Sequence, residues 1–359
     1  MPDKFLFRTC ITVFLLLPFF TNGQQKYNNE IKQAAVSLFN SFDKLQKRSA
    51  VLDFNDTVRL KWNNLPVGLR ARAGTGIGNM TIEQRKLVHR ILSASLSSQG
   101  YLKATSIMHL DDLLNRYFDS LFYKKEINET TYHMMQSLQW SHRNFFFAFF
   151  GAPTDSIWGY KLEGHHLSVN FTFVKNTLSV TPFFIGTDPA EYPNTEYAGW
   201  RVLGEEEDLG IKLIHLLSPA QQKKATLSSA VPEDIITGAE SGKRLVDYWG
   251  ITAAELSEEQ RAVLQYIIRE YVFNLEYDKA TAEYDKIIKA GIGKIYFGWI
   301  GSYDETKPHY FILNGPGFLI EFDNNGFEGR ANHIHTIWRE KGNEYGEDVL
   351  KKHYLSEKN

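Results

Sequence analysis

The sequence predicts an α+β fold in which one antiparallel sheet, built from middle and C-terminal strands, is flanked by two helical blocks. Three observations predict it: helical apolar spacing in the first third, period-two alternation from about residue 157, and closely spaced strands after residue 294 joined by short turns.

The elements follow in order. Ile31, Ala35, Leu38, Phe39, Phe42 and Leu45 recur at helical spacing and open the fold with an amphipathic helix. Thr81 and Gln84 form a capping box for a second helix that runs through Leu87, Val88 and Ile91 and stops near Gly100. A third covers 103–120, and residues 65–79 form an irregular link. The run from Phe145 to Phe150 is too apolar to face water on any side, so it reads as a buried strand ending at Gly151-Ala152-Pro153. His166, Ser168, Asn170 and Thr172 then alternate with Leu167, Val169, Phe171 and Phe173, the pattern of a strand with one polar and one apolar face. Lys175-Asn176 turns the chain into a return strand through Leu178, Val180 and Pro182, making 157–185 a hairpin.

Helices return from Gly204 to Gly291. Glu205 to Asp208 supply negative charge for a first turn, and Ser218 with Gln221 and Ser257 with Gln260 are further capping boxes. Gly291 is a natural stop. Strands at 294–300, 309–313, 317–323 and 331–338 have connections short enough for an antiparallel meander, and a short helix near 346–354 closes the chain.

The 359 residues are 43% apolar and 23% charged with a net charge of −2, which excludes a disordered, collagenous or coiled-coil polymer. With 40 basic against 42 acidic residues there is no positive field for nucleic acid or an anionic membrane surface. Residues 1–23 read as a secretory signal peptide: Lys4 and Arg8 flank an apolar run from Cys10 to Phe20, followed by Thr21-Asn22-Gly23. That run is about half the roughly 20 residues of a membrane-spanning helix, so no stable membrane anchor is expected. The mature chain, 24–359, is then one α+β domain, secreted or periplasmic. It loses Cys10, the single cysteine, so disulfides, a thiolate nucleophile and sulfur-ligated metals are all excluded. Any metal must use His, Asp or Glu. Asn-x-Thr sequons at Asn55, Asn79, Asn128 and Asn170 matter only in a glycosylating host.

Two of the histidine-bearing segments are dense: Glu163-Gly164-His165-His166 and Asn332-His333-Ile334-His335. Both are expected on strands. Residues two apart share a face, so His333 and His335 offer two imidazoles to one ion while Ile334 anchors the strand. Pleating sends His165 and His166 to opposite faces. His166 shares parity with Ser168 and Asn170 and is the expected third ligand, leaving His165 to orient a ligand or act on substrate. Glu321 and Asp323, sharing a face opposite Phe318, Ile320 and Phe322, are candidates for a fourth ligand or a general base, as is Glu163. Three imidazoles with an open position suit zinc; a carboxylate added to them also suits iron, manganese or copper. The alternative is a set of histidines hydrogen-bonded within a polar sheet face.

Other signals are weaker. Gly74-Thr75-Gly76-Ile77-Gly78 has no strand before it and no Lys-Ser/Thr after it, so it reads as a link rather than a phosphate loop. Arg70 and Arg72 beside it read as a solvated turn. His89, His215 and His353 lie on helices without a matching partner, no G-x-S-x-G elbow occurs, and Trp158, Trp299 and Trp338 read as packing residues. Arg339 suits either an anionic group or a structural ion pair.

Phe150-Gly151-Ala152-Pro153, Leu162 to Ser168, Asn314-Gly315-Pro316 with Leu319 to Asp323, and Asn332 to Arg339 with His353-Tyr354 together resemble the domain of unknown function family 3500. The resemblance spans nearly all the mature chain. It implies an exported single-domain protein and no particular reaction. The leading expectation is therefore an exported metal-dependent enzyme, most simply a hydrolase, acting on a small-molecule or polymer substrate that the sequence does not name. An iron or copper oxidoreductase and a non-catalytic metal- or ligand-binding protein are the alternatives.

Overall fold

A computed structural model gives the fold and describes residues 20–239, 245, 247–326 and 329–356, with side chains from residue 28 onward. The expected signal peptide lies, up to residue 19, outside the described residues. The chain then enters helix α1, Phe20–Ser41, followed by α2, Lys44–Ala50.

The strands are β1 (Val51–Leu52), β2 (Thr75–Gly76), β3 (Phe146–Phe150), β4 (Ile157–Gly164), β5 (Leu167–Val174), β6 (Thr177–Ser179) and β7 (Phe183–Thr187). After them come β8 (Thr226–Ser228), β9 (Ile251–Thr252), β10 (Tyr296–Gly301), β11 (His309–Asn314), β12 (Phe318–Asn324) and β13 (Ile334–Glu340). All join one sheet in the order β1-β3-β4-β5-β7-β13-β12-β11-β10-β8, with β2, β6 and β9 paired at the side of that path. Its halves, distant in sequence, meet where β7 pairs antiparallel with β13, Ile185 opposite Thr336. Middle and C-terminal strands thus share a sheet, as the alternation and short turns required. It is mostly antiparallel: the short β1 runs parallel to β3, and β8 to β10.

One face is packed by helices. Residues of α1 (Ile31, Ala35, Leu38), α3 (Ile82–Ser95), α6 (Gly204–Leu216) and α8 (Glu258–Val272) form one core with Phe147, Phe149, Tyr160, Phe171, Phe322 and Trp338. Trp158, Trp299 and Trp338 are all within it. Each such aromatic withdrawn from water contributes roughly 1.5–3 kcal/mol, so this layer is the main source of stability. Capping boxes open α3 at Thr81, α7 (Pro219–Ala225) at Ser218 and α8 at Ser257, and α9 (Tyr277–Gly291) ends at Gly291 with φ +106°.

Helix α3, opened by the Thr81 capping box, is shorter than its sequence suggested. It ends at Ser95 with Leu96 as C-cap, and α4, Ser98–Tyr123, starts on an N-cap from Ser97. Gly100 therefore lies in the first turn of α4 instead of stopping α3, and it is glycine because a Cβ would sit 2.0 Å from the Asn274 carbonyl oxygen. Helix does not run unbroken from 204 to 291 either. The described residues of 226–257 hold β8, β9, a 3-10 turn at Ala253–Glu255 and an irregular stretch from 229 to 239, where Pro232 removes a donor that a helix would need.

That stretch matters because it covers the second face. Ile235, with Trp62 and Tyr345, packs on Phe184 and Ile337, while Val231 and Ile236 lie on Tyr310, Ile312 and Leu319. The expected polar face of β5 is buried too: Ser168, Asn170 and Thr172 are each under 5% exposed, with Asn170 Nδ2 donating to the Pro182 carbonyl at 2.9 Å and Thr172 lying against Gly346. The glycine-rich link contributes β2, paired with β3, and Gly74 (φ +115°) approaches so closely that a Cβ would meet the Phe147 carbonyl oxygen at 2.6 Å. Sheet-edge packing explains those glycines without a phosphate.

Candidate metal centre

The two histidine segments meet on the irregularly covered face. His335 stands on β13 directly opposite Asp323 on β12 and Gly186 on β7, and Ile334 is fully buried beneath. His333 lies one residue before the strand. Its N–H donates to Asn324 Oδ1 at 3.0 Å, which ends the ladder early but keeps the imidazole on the side of His335.

His165 and His166 differ from expectation. They are the two-residue turn joining β4 to β5, whose last pair is Gly164 with Leu167, so pleating does not separate them. His166 adopts φ +59°, a left-handed conformation that non-glycine residues visit rarely. It is held there by its N–H donating to the Asn64 carbonyl at 3.1 Å and by Gly186 N–H donating to its own carbonyl at 2.7 Å. The two rings stack with centroids 3.7 Å apart, and His166 projects toward the H-x-H pair.

Three ring nitrogens then converge. His166 Nε2 is 2.8 Å from His333 Nε2, which is 3.1 Å from His335 Nε2. A proton can bridge one such pair at a time, whereas a metal ion satisfies all three lone pairs at once. Tetrahedral bonds of roughly 2.0–2.1 Å place neighbouring ligand nitrogens about 3.3 Å apart, within a few tenths of the separations seen. The trio could hold a metal ion, and so could a second group formed by Asp234, Asp323 and His335, its ligand atoms within 4.8 Å of one another.

The electrostatics agree. Burial and then the neighbouring histidines push His166 and His333 well below the usual imidazole range, so both are neutral lone-pair donors near pH 7. Burial also opposes charge on His335, but the Asp234 hydrogen bond and charge outweigh it and raise that ring. His335 Nδ1 donates to Asp234 Oδ1 at 2.8 Å, which fixes the tautomer that leaves Nε2 available. His165 makes the corresponding contact with Asp111, Nδ1 to Oδ1 at 2.6 Å, and both residues are buried. Burial pushes Asp188 up to about 6 and Asp323 up to about 8. Among the described residues no lysine or arginine ion-pairs with Asp111, Asp188, Asp234 or Asp323; Asp111 and Asp234 are paired instead with the imidazoles of His165 and His335.

Of the carboxylates singled out in the sequence, only Asp323 reaches the cluster. Glu321 is buried and accepts from Ile236 N (2.6 Å), Thr237 N (3.1 Å) and the Tyr310 hydroxyl (2.8 Å), pinning the loop that carries Asp234. Glu163 pairs with Arg72 at 2.8 Å and Lys161 at 3.6 Å. Arg72 in turn donates to the Asn63 carbonyl at 3.1 Å, next to the Asn64 that holds His166. Arg339 is a structural ion pair with Glu344 at 2.6 Å and bonds to Thr237. Sequence reasoning missed Asp111, Asp188, Asp234, Asn64 and Gly186, which come from a helix, loops and a strand with no local mark; the turn dipeptide Asp188-Pro189 is the one faint signal.

Comparison with known families decides the affiliation. The family described as "Protein of unknown function (DUF3500)" matches residues 24–347, which include every residue of the cluster. The chain belongs to this family. No curated protein and no solved structure matches it. The family brings no chemistry of its own, so the reading of the site rests on the geometry above.

Proposed function

We propose that the protein is an exported, zinc-dependent hydrolase in which His166, His333 and His335 hold the ion and the His165–Asp111 pair moves protons. The observation that carries this reading is a His–Asp pair stacked against a ligand histidine while standing outside the ligand trio. A structural metal site needs no such neighbour; a site that must take up and release protons does. The bound ion would acidify water and polarise a carbonyl or phosphoryl oxygen. Asp111 holds the His165 proton on Nδ1, leaving Nε2, which no described residue bonds, to accept a proton. Asp234 orients His335, and Glu321 and Glu163 position the loops that carry Asp234 and Asn64. Three imidazoles favour zinc over iron, manganese or copper, which a carboxylate at the fourth position would favour more.

The test is a panel of chromogenic carboxylic esters, phosphoesters and amides with zinc-loaded protein, His165→Gln and His333→Ala. Turnover of one class, abolished in His333→Ala and reduced about 10²–10⁴-fold in His165→Gln with metal content retained, supports the reading. Turnover that His165→Gln leaves unchanged removes the proton carrier, and no turnover by metal-loaded parent on any class removes the enzyme.

A further inference from the structure

His335 has two faces. Nε2 belongs to the histidine trio, whereas Nδ1 faces Asp234 Oδ1 at 2.8 Å, and Asp323 offers a carboxylate oxygen within 4.8 Å of Asp234 and of a His335 ring nitrogen. Asp323 is 1% exposed, and its Oδ2 has no hydrogen-bond partner among the described residues. A buried carboxylate oxygen left bare costs its full desolvation, so such atoms ordinarily mark a missing partner. A cation fits that place, because the surroundings hold two carboxylates and, among the described residues, no lysine or arginine paired with either. Nor does a neighbouring side chain supply a proton: the Tyr310 hydroxyl, on the residue opposite Asp323, is committed to Glu321 at 2.8 Å.

We infer that the centre holds two divalent cations, the second bound by Asp323, Asp234 and His335 Nδ1, with His335 bridging the pair. The inference rests on the metal reading of the trio and goes beyond it. One imidazole, one bare buried carboxylate and one partly exposed carboxylate make a mixed nitrogen and oxygen set of the kind that takes zinc, manganese or iron. Asp234 Oδ1 and His335 Nδ1 share a proton at 2.8 Å and would part by about half an ångström to become two ligands of one ion. When the second ion binds, it replaces the Nδ1 proton that now lies between them. His335 becomes an imidazolate, the proton leaves to solvent, and no oxidation is involved. The Asp234 side chain is 42% exposed, so this ion would sit on the solvent side of the centre, where it can meet substrate.

Native mass spectrometry of the full chain without a His tag, titrated with Zn²⁺, tests this. Two zinc ions per parent chain, one in Asp323→Asn, one in Asp234→Asn, and one in His166→Ala are the expected counts. One zinc in the parent, unchanged in Asp323→Asn, overturns the second site and leaves the trio standing. Two in the parent and two in both aspartate variants place the second ion elsewhere and also overturn it. No zinc in the parent removes the trio together with the inference. A parent count below two overturns the second site even if a variant fails to fold, and with two in the parent either aspartate variant that folds places the second ion.

Discussion

Gly186 on β7 lies opposite His335 on β13, and the missing side chain leaves the room in which the His335 and His166 rings approach to 5.1 Å between centroids. A Cβ at Gly186 would stand 3.0 Å from His335 Cδ2, 3.2 Å from His166 Cδ2 and 2.7 Å from the Ile334 carbonyl oxygen. Glycine at this point is a requirement of the site, since its backbone is not in the left-handed region.

Gly186→Ala is therefore expected to destabilise the β7–β13 pairing through the Ile334 carbonyl and, in the folded fraction, to bind metal at least about tenfold more weakly, because the rings must part by a few tenths of an ångström in a site whose ligand distances are fixed to about 0.2 Å. Competition against a chromophoric chelator measures it; an unchanged affinity would show that the ring spacing is not set here.

Asp234→Asn keeps an acceptor near His335 and removes its charge. Loss of such a carboxylate behind a ligand imidazole lowers affinity about 10–100-fold. Isothermal titration with Zn²⁺ should show that weakening in the tighter binding event.

The pH dependence has a definite sign. Burial raises Asp323 from 3.8 to about 8, so the metal-free folded state holds a proton that the unfolded state has released above pH 3.8. The stabilising contribution of that proton is complete below pH 3.8 and is lost as pH rises toward 8. Asp188, raised to about 6, adds the same trend over the lower part of that range. The depressed His166 and His333 act in the opposite sense up to the unfolded imidazole value of 6.5, so the Tm of metal-free protein should fall from pH 6.5 to pH 8, where Asp323 and the raised His335 lose their protons. Metal affinity should rise over the same interval, because the ion competes with protons on Asp323 and His335 and not on the already neutral His166 and His333.

Gly100→Ala sets two effects against each other. Alanine is better than glycine inside a helix by about 1 kcal/mol. The new Cβ, however, would meet the Asn274 carbonyl oxygen at 2.0 Å, a backbone atom that cannot swing aside. Overpacking of this kind costs about 1–3 kcal/mol, so chemical denaturation should show net destabilisation.

Much of the fold was legible because its signals are local. The capping boxes at Thr81, Ser218 and Ser257 satisfy donors three residues away, and the alternation along Leu167 to Phe173 needs only the pleat. His333 and His335 were legible for the same reason. The turn at His165-His166 was not, because it lacks the Asn-Gly or Asp-Gly pair that marks a two-residue hairpin, and alternation past it disguised it as strand. Asp111 and Asp234 approach their histidines across 54 and 101 positions of sequence. Burial of the second sheet face by residues 229–239 was equally hidden, since that cover depends on Ile235 and Ile236 finding Phe184, Ile337 and Tyr310 in space.

Elemental analysis of the chain purified without a His tag, beside His333→Ala/His335→Ala, tests the central claim most directly. The account predicts at least one equivalent of a transition metal, zinc foremost, in the parent and none in the double variant. Equal trace metal in both would contradict it.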